Sequence, residues 1–154
     1  MPDVFISYST QNANIAQFIH RHLIAENLSV YLAEISLVPG QKWKDEILRN
    51  LKGSPWVIFL ASNAACGSAI VQQEMGVALG TGKQIVPIVW DMDPATLPGW
   101  LAGYQALDLR KLSLDDANIR ISSIAKKIKA DVVQGRLIAG AAIFALLLIF
   151  TKSS

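Results

Sequence analysis

Glu74 carries the clearest chemical potential in this sequence, because it puts a carboxylate on a face that otherwise reads as core. It lies in the stretch from Ser62 to Gly82, SNAACGSAIVQQEMGVALGTG. On a helix its neighbours one turn away in either direction are Ile70, Val71, Val77 and Ala78, all apolar. Burying an unpaired carboxylate costs several kcal/mol or forces it to take up a proton, so such a side chain either snorkels at the edge of the face or lines a cleft. Other chemistries are poorly provided for. Cys66 is the sole cysteine and no histidine lies near it in sequence, which reads as a small helix-start residue rather than a nucleophile. His20 and His22 are two apart on a helix and point in different directions, so no metal-ligand spacing exists and no metal is expected.

At 154 residues the chain is one domain plus a tail. A net charge of +2, with no basic run interleaved with aromatics, excludes nucleic acid as the expected partner. A lone cysteine and no signal peptide agree with a reducing, cytoplasmic location for the main body.

The elements that must position Glu74 alternate regularly. The segment from Asp3 to Ser9 contains VFISYS, a strand buried on both faces. An amphipathic helix from Gln11 to Glu26 follows on Ile15, Phe18, Ile19 and Leu23, with Asn27 as its stop. A strand at Ser29 to Leu32 leads into AEISLVPGQ, where Pro39 and Gly40 mark a turn in a loop long enough to act as a lid. Trp43, Ile47, Leu48 and Leu51 form one face of the second helix, which ends at Gly53, Ser54 and Pro55. The third strand is Trp56 to Ser62, the central helix is next, and Gln84 to Trp90 is the fourth strand, with Pro87 expected at a bulge or irregular site. A short helix and a weak strand near Gln105 to Leu109 precede a last helix begun by Ser113. Strands alternating with helices predict an open α/β sandwich, a doubly wound parallel sheet of about five strands. The ligand site of such a sheet lies outside the carboxyl ends of its strands. There the chain brings together Ser7, Tyr8, Ser9 and Thr10, then Ala33, Glu34 and Ile35, then Ser62 and Asn63, then Trp90 and Asp91. Hydroxyls, an amide and carboxylates over an apolar floor suit a polar small molecule.

VFISYS, the VPGQKW loop, WVIFLASNAACGSAIVQQEMGVA and KQIVPIVW, in that order and spacing, resemble a Toll/interleukin receptor (TIR) domain of the bacterial type. The resemblance covers about the first 130 residues. It implies a flavodoxin-like doubly wound sheet and one of two function classes. Enzymatic members cleave NAD+ between nicotinamide and ribose, giving nicotinamide with ADP-ribose or a cyclic isomer; NAD+ is then substrate and no cofactor is needed. Non-enzymatic members are scaffolds or adaptors that assemble through homotypic contacts of the loop after the second strand. By this resemblance the essential glutamate matches Glu74, whereas the tryptophan that many enzymatic members carry four residues earlier is Ile70. Nicotinamide is already a cationic leaving group, so the barrier is an oxocarbenium ion on ribose, and one carboxylate suffices to stabilise it. The resemblance implies ribose contact by Glu74 and phosphate or ribose contact by Ser9 with Tyr8 or Thr10. Ser62 completes the substrate rim, and Glu34 either joins it or is a surface residue. Trp43 either stacks on a ring of the substrate or anchors the second helix in the core. Ile35, Val38, Pro39 and Gly40 form the self-association loop. Bacterial antiphage defence, as in Thoeris systems, with a downstream effector protein, is the implied setting.

The tail from Leu137 to Phe150, LIAGAAIFALLLIF, is uncharged but short of the roughly 20 residues a span needs. Counting from Val132 to Thr151 and letting Arg136 snorkel brings it to that length, which predicts a transmembrane anchor in residues 131–154 beside a TIR domain in 1–130. Lys126, Lys127 and Lys129 before the run keep the domain in the cytoplasm on a single-pass, tail-anchored protein of the inner membrane. The alternative is a soluble oligomerisation helix, with Gly135 and Gly140 permitting close helix approach.

Overall fold

The computed structural model describes residues 1–35, 40, 42–80 and 82–152, with the side chains of all of these except 77–79 and 137–152. Its centre is a five-stranded parallel sheet in the order β2-β1-β3-β4-β5. The strands are β1 (Val4–Tyr8), β2 (Val30–Glu34), β3 (Trp56–Leu60), β4 (Gln84–Val89) and β5 (Leu107–Asp108). The helices are α1 (Ala13–Ala25), α2 (Asp45–Gly53), α3 (Asn63–Cys66), α4 (Ala69–Leu79) and α5 (Leu114–Lys152). Side-chain alternation splits the core in two. Phe5, Val57, Phe59, Ile85 and Val89 point to the face covered by α2 and α4, whereas Val4, Ile6, Ile58, Leu60 and Ile88 point to the face covered by α1 and α5. Both faces being dry is why the strands read as unbroken apolar runs.

Local stops follow the residue types. Asn27 takes the left-handed conformation at φ 57° and turns the chain out of α1. Ser113 starts α5 by accepting from the Asp116 N–H at 3.1 Å. Pro87 differs from expectation, lying in regular register opposite Phe59 rather than at a bulge. The Ala61 N–H bonds to the Ile88 carbonyl and the Leu109 N–H to that of Val89, so odd-numbered residues of β4 face β5. Pairing with β5 begins only at Ile88, so no ladder bond requires a donor from Pro87. The expected short helix before β5 is a run of turns.

The stretch from Ser62 to Gly82, expected as one helix, is two. Gly67 and Ser68 separate α3 from α4, the Ser68 hydroxyl accepts from the Val71 N–H at 3.4 Å, and Gln72 Nε2 donates to the Cys66 carbonyl at 2.7 Å. The break is therefore capped from both sides.

The expected membrane anchor is overturned: among the described residues no helix is long and apolar enough to cross a membrane. Residues that the span would need are committed to the domain instead. Val132 is buried in the same core as Ile121, Ala125 and Ile128, at successive turns of α5. Arg136 Nη2 donates to Asp3 Oδ1 at 2.7 Å, and Asp131 Oδ2 accepts from Trp56 Nε1 at 2.6 Å. The apolar run from Leu137 lies outside the described side chains. Asp3 also accepts from the Ser29 N–H at 2.9 Å. Asp3→Ala is expected to cost about 1.5–3 kcal/mol of stability, since it strands that donor and removes a charge-assisted bond; urea unfolding measures it.

Candidate functional site

The sheet order reverses between β1 and β3, and the crevice at that switch point is where a doubly wound sheet offers a ligand site. The carboxyl ends of β1 and β3 bring Ser7, Tyr8, Ser9, Phe59 and Leu60 to its walls, Ile35 closes it from β2, and Ala65 and Val71 come from α3 and α4. The cleft holds about 180 Å3 of empty space, none of it wide enough for a water molecule.

The polar rim is tied by local bonds. Ser9 is buried and its Oγ accepts from Asn12 Nδ2 at 2.7 Å, within the tight turn at Thr10–Asn12. Ser62, also buried, accepts from the Ala65 N–H at 3.1 Å and so starts α3. Each hydroxyl keeps its own proton to donate. Thr10 Oγ1 donates to Glu34 Oε1 at 3.0 Å, and Glu34 stands beside Tyr8 in the β1–β2 register. Burial, and then the negative charge of Glu34, raise the Tyr8 phenol above its usual value, which keeps it a neutral donor.

Glu74 sits half-buried in α4, beside the stripe in which Val71 and Met75 are fully buried. Val71 lines the cleft, and a residue three positions later returns to within about 60° of the same helix face. Among the described residues the Glu74 carboxylate has no hydrogen bond or ion pair.

Several expected site residues are positioned otherwise. Trp43 is only 5% exposed and lies in the core with Phe5, Ile35 and Leu51, so of its two expected roles the ring takes that of anchor at the approach to α2. Ile35 is 4% exposed and part of that core, so it is not displayed as a self-association loop requires. Gly40 is exposed at φ 81°, while Val38 and Pro39 lie outside the described residues. Asn12 joins the rim without having been singled out by sequence, beside Asn63, which the strand ends had already gathered there. Asn63 Nδ2 donates to the Asp91 carbonyl at 3.3 Å, joining the ends of β3 and β4. The spacing of Ser9 and Asn12, three residues apart before a helix, is the signal that could have found the first.

Cys66, the last residue of α3, is buried, and burial, then the charge of Asp91, push its thiol up to about 11. Alkylation at pH 8 is therefore expected to be about 100-fold slower in the folded than in the unfolded chain, with the folded rate rising about tenfold per pH unit; a stopped labelling time course measures it. The folded value lies above the ordinary one of 9.0. The thiol thus costs nothing below that range, and stability falls as the pH climbs toward about 11.

Comparison with known proteins agrees with this geometry. The family model for the TIR domain matches residues 4–121. No curated protein matches the chain. Among solved structures, the TIR domain of the Toll-related receptor TRR-2 from Hydra magnipapillata is 18% identical, with a TM-score of 0.62 over 84% of this chain and 99% of that one. A flavodoxin-like domain from Synechococcus sp. is 10% identical, with a TM-score of 0.68 over 90% of this chain and 98% of that one. The RPS4 and RRS1 TIR domain heterodimer is 12% identical, with a TM-score of 0.57 over 85% of this chain and 95% of that one. These likenesses are of fold, and the family match spans most of the sequence: this chain belongs to the TIR domain family.

Proposed function

We propose that this protein cleaves NAD+ at the bond between nicotinamide and ribose, releasing nicotinamide with ADP-ribose or a cyclic isomer. The observation that carries the reading is Glu74: a half-buried carboxylate, beside the buried stripe of the helix that borders the switch-point cleft. As the glycosidic bond breaks, its electrons leave with nicotinamide and the ribose carbon becomes an oxocarbenium ion, which the Glu74 charge stabilises. Water then adds to that carbon and loses a proton to give ADP-ribose, or a ring nitrogen of the adenine adds to give the cyclic product. The free protons of the Ser9 and Ser62 hydroxyls, with Tyr8 and Thr10 beside them, suit the phosphates and ribose; Glu34 orients Thr10. NAD+ is the substrate and no cofactor takes part. The cleft is closed to water, so binding requires it to open.

A second reading, a TIR scaffold that assembles through homotypic contacts, is favoured by that closed cleft and by Ile70 in place of the tryptophan common in enzymatic relatives. The bacterial antiphage setting, with an effector protein reading the product, belongs to the same proposal and rests on the resemblance. The division into a TIR domain at 1–130 and a separate segment at 131–154 is likewise a proposal, to be read with the bonds from Asp131 and Arg136 back to the domain. Incubating the purified chain with NAD+ at rising protein concentration, followed by chromatography, tests the reading. Nicotinamide release that steepens with concentration is expected; intact NAD+ throughout favours the scaffold.

A further inference from the structure

At the amino ends of β3, β4 and β5, opposite the carboxyl rim, a cavity of about 540 Å3 opens under α5. It exists because β5 is only two residues long and pairs with β4 from Ile88 onward. Among the described residues the amino half of β4 therefore has no paired strand on that side. The Gln84 N–H bonds to the Pro55 carbonyl on the β3 side, so Ile85, next along the strand, turns its N–H and C=O toward the side where β5 has not begun. Among the described residues neither group has a hydrogen-bond partner. The Ile85 side chain belongs to the core on the other face of the sheet, so it is the backbone that borders the cavity. Facing a cavity wide enough for water, this donor and acceptor pair is open to solvent or to a ligand that both donates and accepts.

The opposite wall is one face of α5, where Arg120, Ser123 and Lys127 follow at helical spacing between Ile119, Ile124 and Ile128. Among the described residues, Arg120 and Lys127 are exposed and make no ion pair, and no aspartate or glutamate lines the cavity. Two cations without a counter-acid, an apolar wall and an unpaired backbone edge define the ligand chemically. We propose that this cavity binds a small organic anion, a phosphate or carboxylate on a planar body whose edge both donates and accepts hydrogen bonds. Arg120 and Lys127 take the anion, Ile85 pairs with the planar edge, and Ile119 and Ile124 cover the body. Addition of a peptide strand fits less well, because β5 itself blocks the edge one step beyond Pro87.

AMP supplies both features, adenosine only the edge, and inorganic phosphate only the charge. Calorimetry of the full chain is expected to show AMP binding more tightly than either fragment, with the Ile85 amide resonance shifting on addition of AMP. Arg120→Glu with Lys127→Glu, both at exposed positions, is expected to weaken AMP at least about tenfold with the melting temperature unchanged, whereas Glu74→Gln leaves it unaltered. AMP affinity unchanged by the charge reversals, lost with Glu74→Gln, or gained without movement of the Ile85 amide would overturn the site. Burial of that amide by a second copy of the chain as concentration rises would overturn it too, making the edge a protein contact.

Discussion

Glu74→Gln is expected to lower kcat for nicotinamide release by about 10²–10³-fold while KM changes little. The reason is where the charge is needed. NAD+ carries a cationic nicotinamide in the ground state, and positive charge moves onto the ribose only as the bond breaks, so a carboxylate held beside that carbon acts mainly in the transition state. Glutamine keeps the shape and loses the charge. Glu74 is half-buried at the side of the Val71 and Met75 stripe, so the neutral amide fits where the carboxylate stood and thermal unfolding should shift within about 0.5 kcal/mol. Steady-state kinetics and a melting curve on the same preparation separate the effects. A raised KM with unaltered kcat would mean that Glu74 binds rather than catalyses.

Phe59→Ala is expected to remove about 3–5 kcal/mol of stability. Phe59 is 1% exposed on β3, the middle strand, with Ser7 beside it on β1 and Pro87 on β4. Its ring meets Trp100 edge-on, with centroids 5.3 Å apart at 67°, which pins the turns before β5 to the sheet. The backbone on either side is held in the sheet, so the space closes only as far as the partly buried Trp100 can follow. Against a total of roughly 5–15 kcal/mol, the loss leaves a marginal protein. Urea unfolding reads it directly, and Phe59→Leu should recover most of it. A cost below about 1 kcal/mol for the alanine variant would show that the α2 and α4 face repacks freely.

The sheet was legible because its strands are buried on both faces, so WVIFL and VFISY needed no partner to be read as strands. Strand ends and the switch-point rule gathered Ser9, Glu34 and Ser62 from distant parts of the chain to one edge of the sheet, and of these Ser9 lines the cleft. What was not legible depends on local bonds that periodicity does not encode. The split of the central stretch turns on the Ser68 hydroxyl and the Gln72 amide, and the position of Asn12 on its reach back to Ser9. Trp43 could have faced substrate or core, and the choice was made by tertiary packing against Phe5 and Leu51. The tail misled because hydropathy counts Val132 and Arg136 as part of a span, although one is buried on the domain and the other is bonded to Asp3. The cleft is closed among side chains of β1, β3, α3 and α4 with Ile35, an outcome of tertiary packing that no spacing rule predicts.

A crystal structure with a non-hydrolysable NAD+ analogue tests the central claim most directly. The Glu74 carboxylate is expected within about 4 Å of the ribose carbon that carries nicotinamide, with the phosphates near Ser9. An analogue seated with that carbon far from Glu74, or bound away from the β1 and β3 ends altogether, would contradict it.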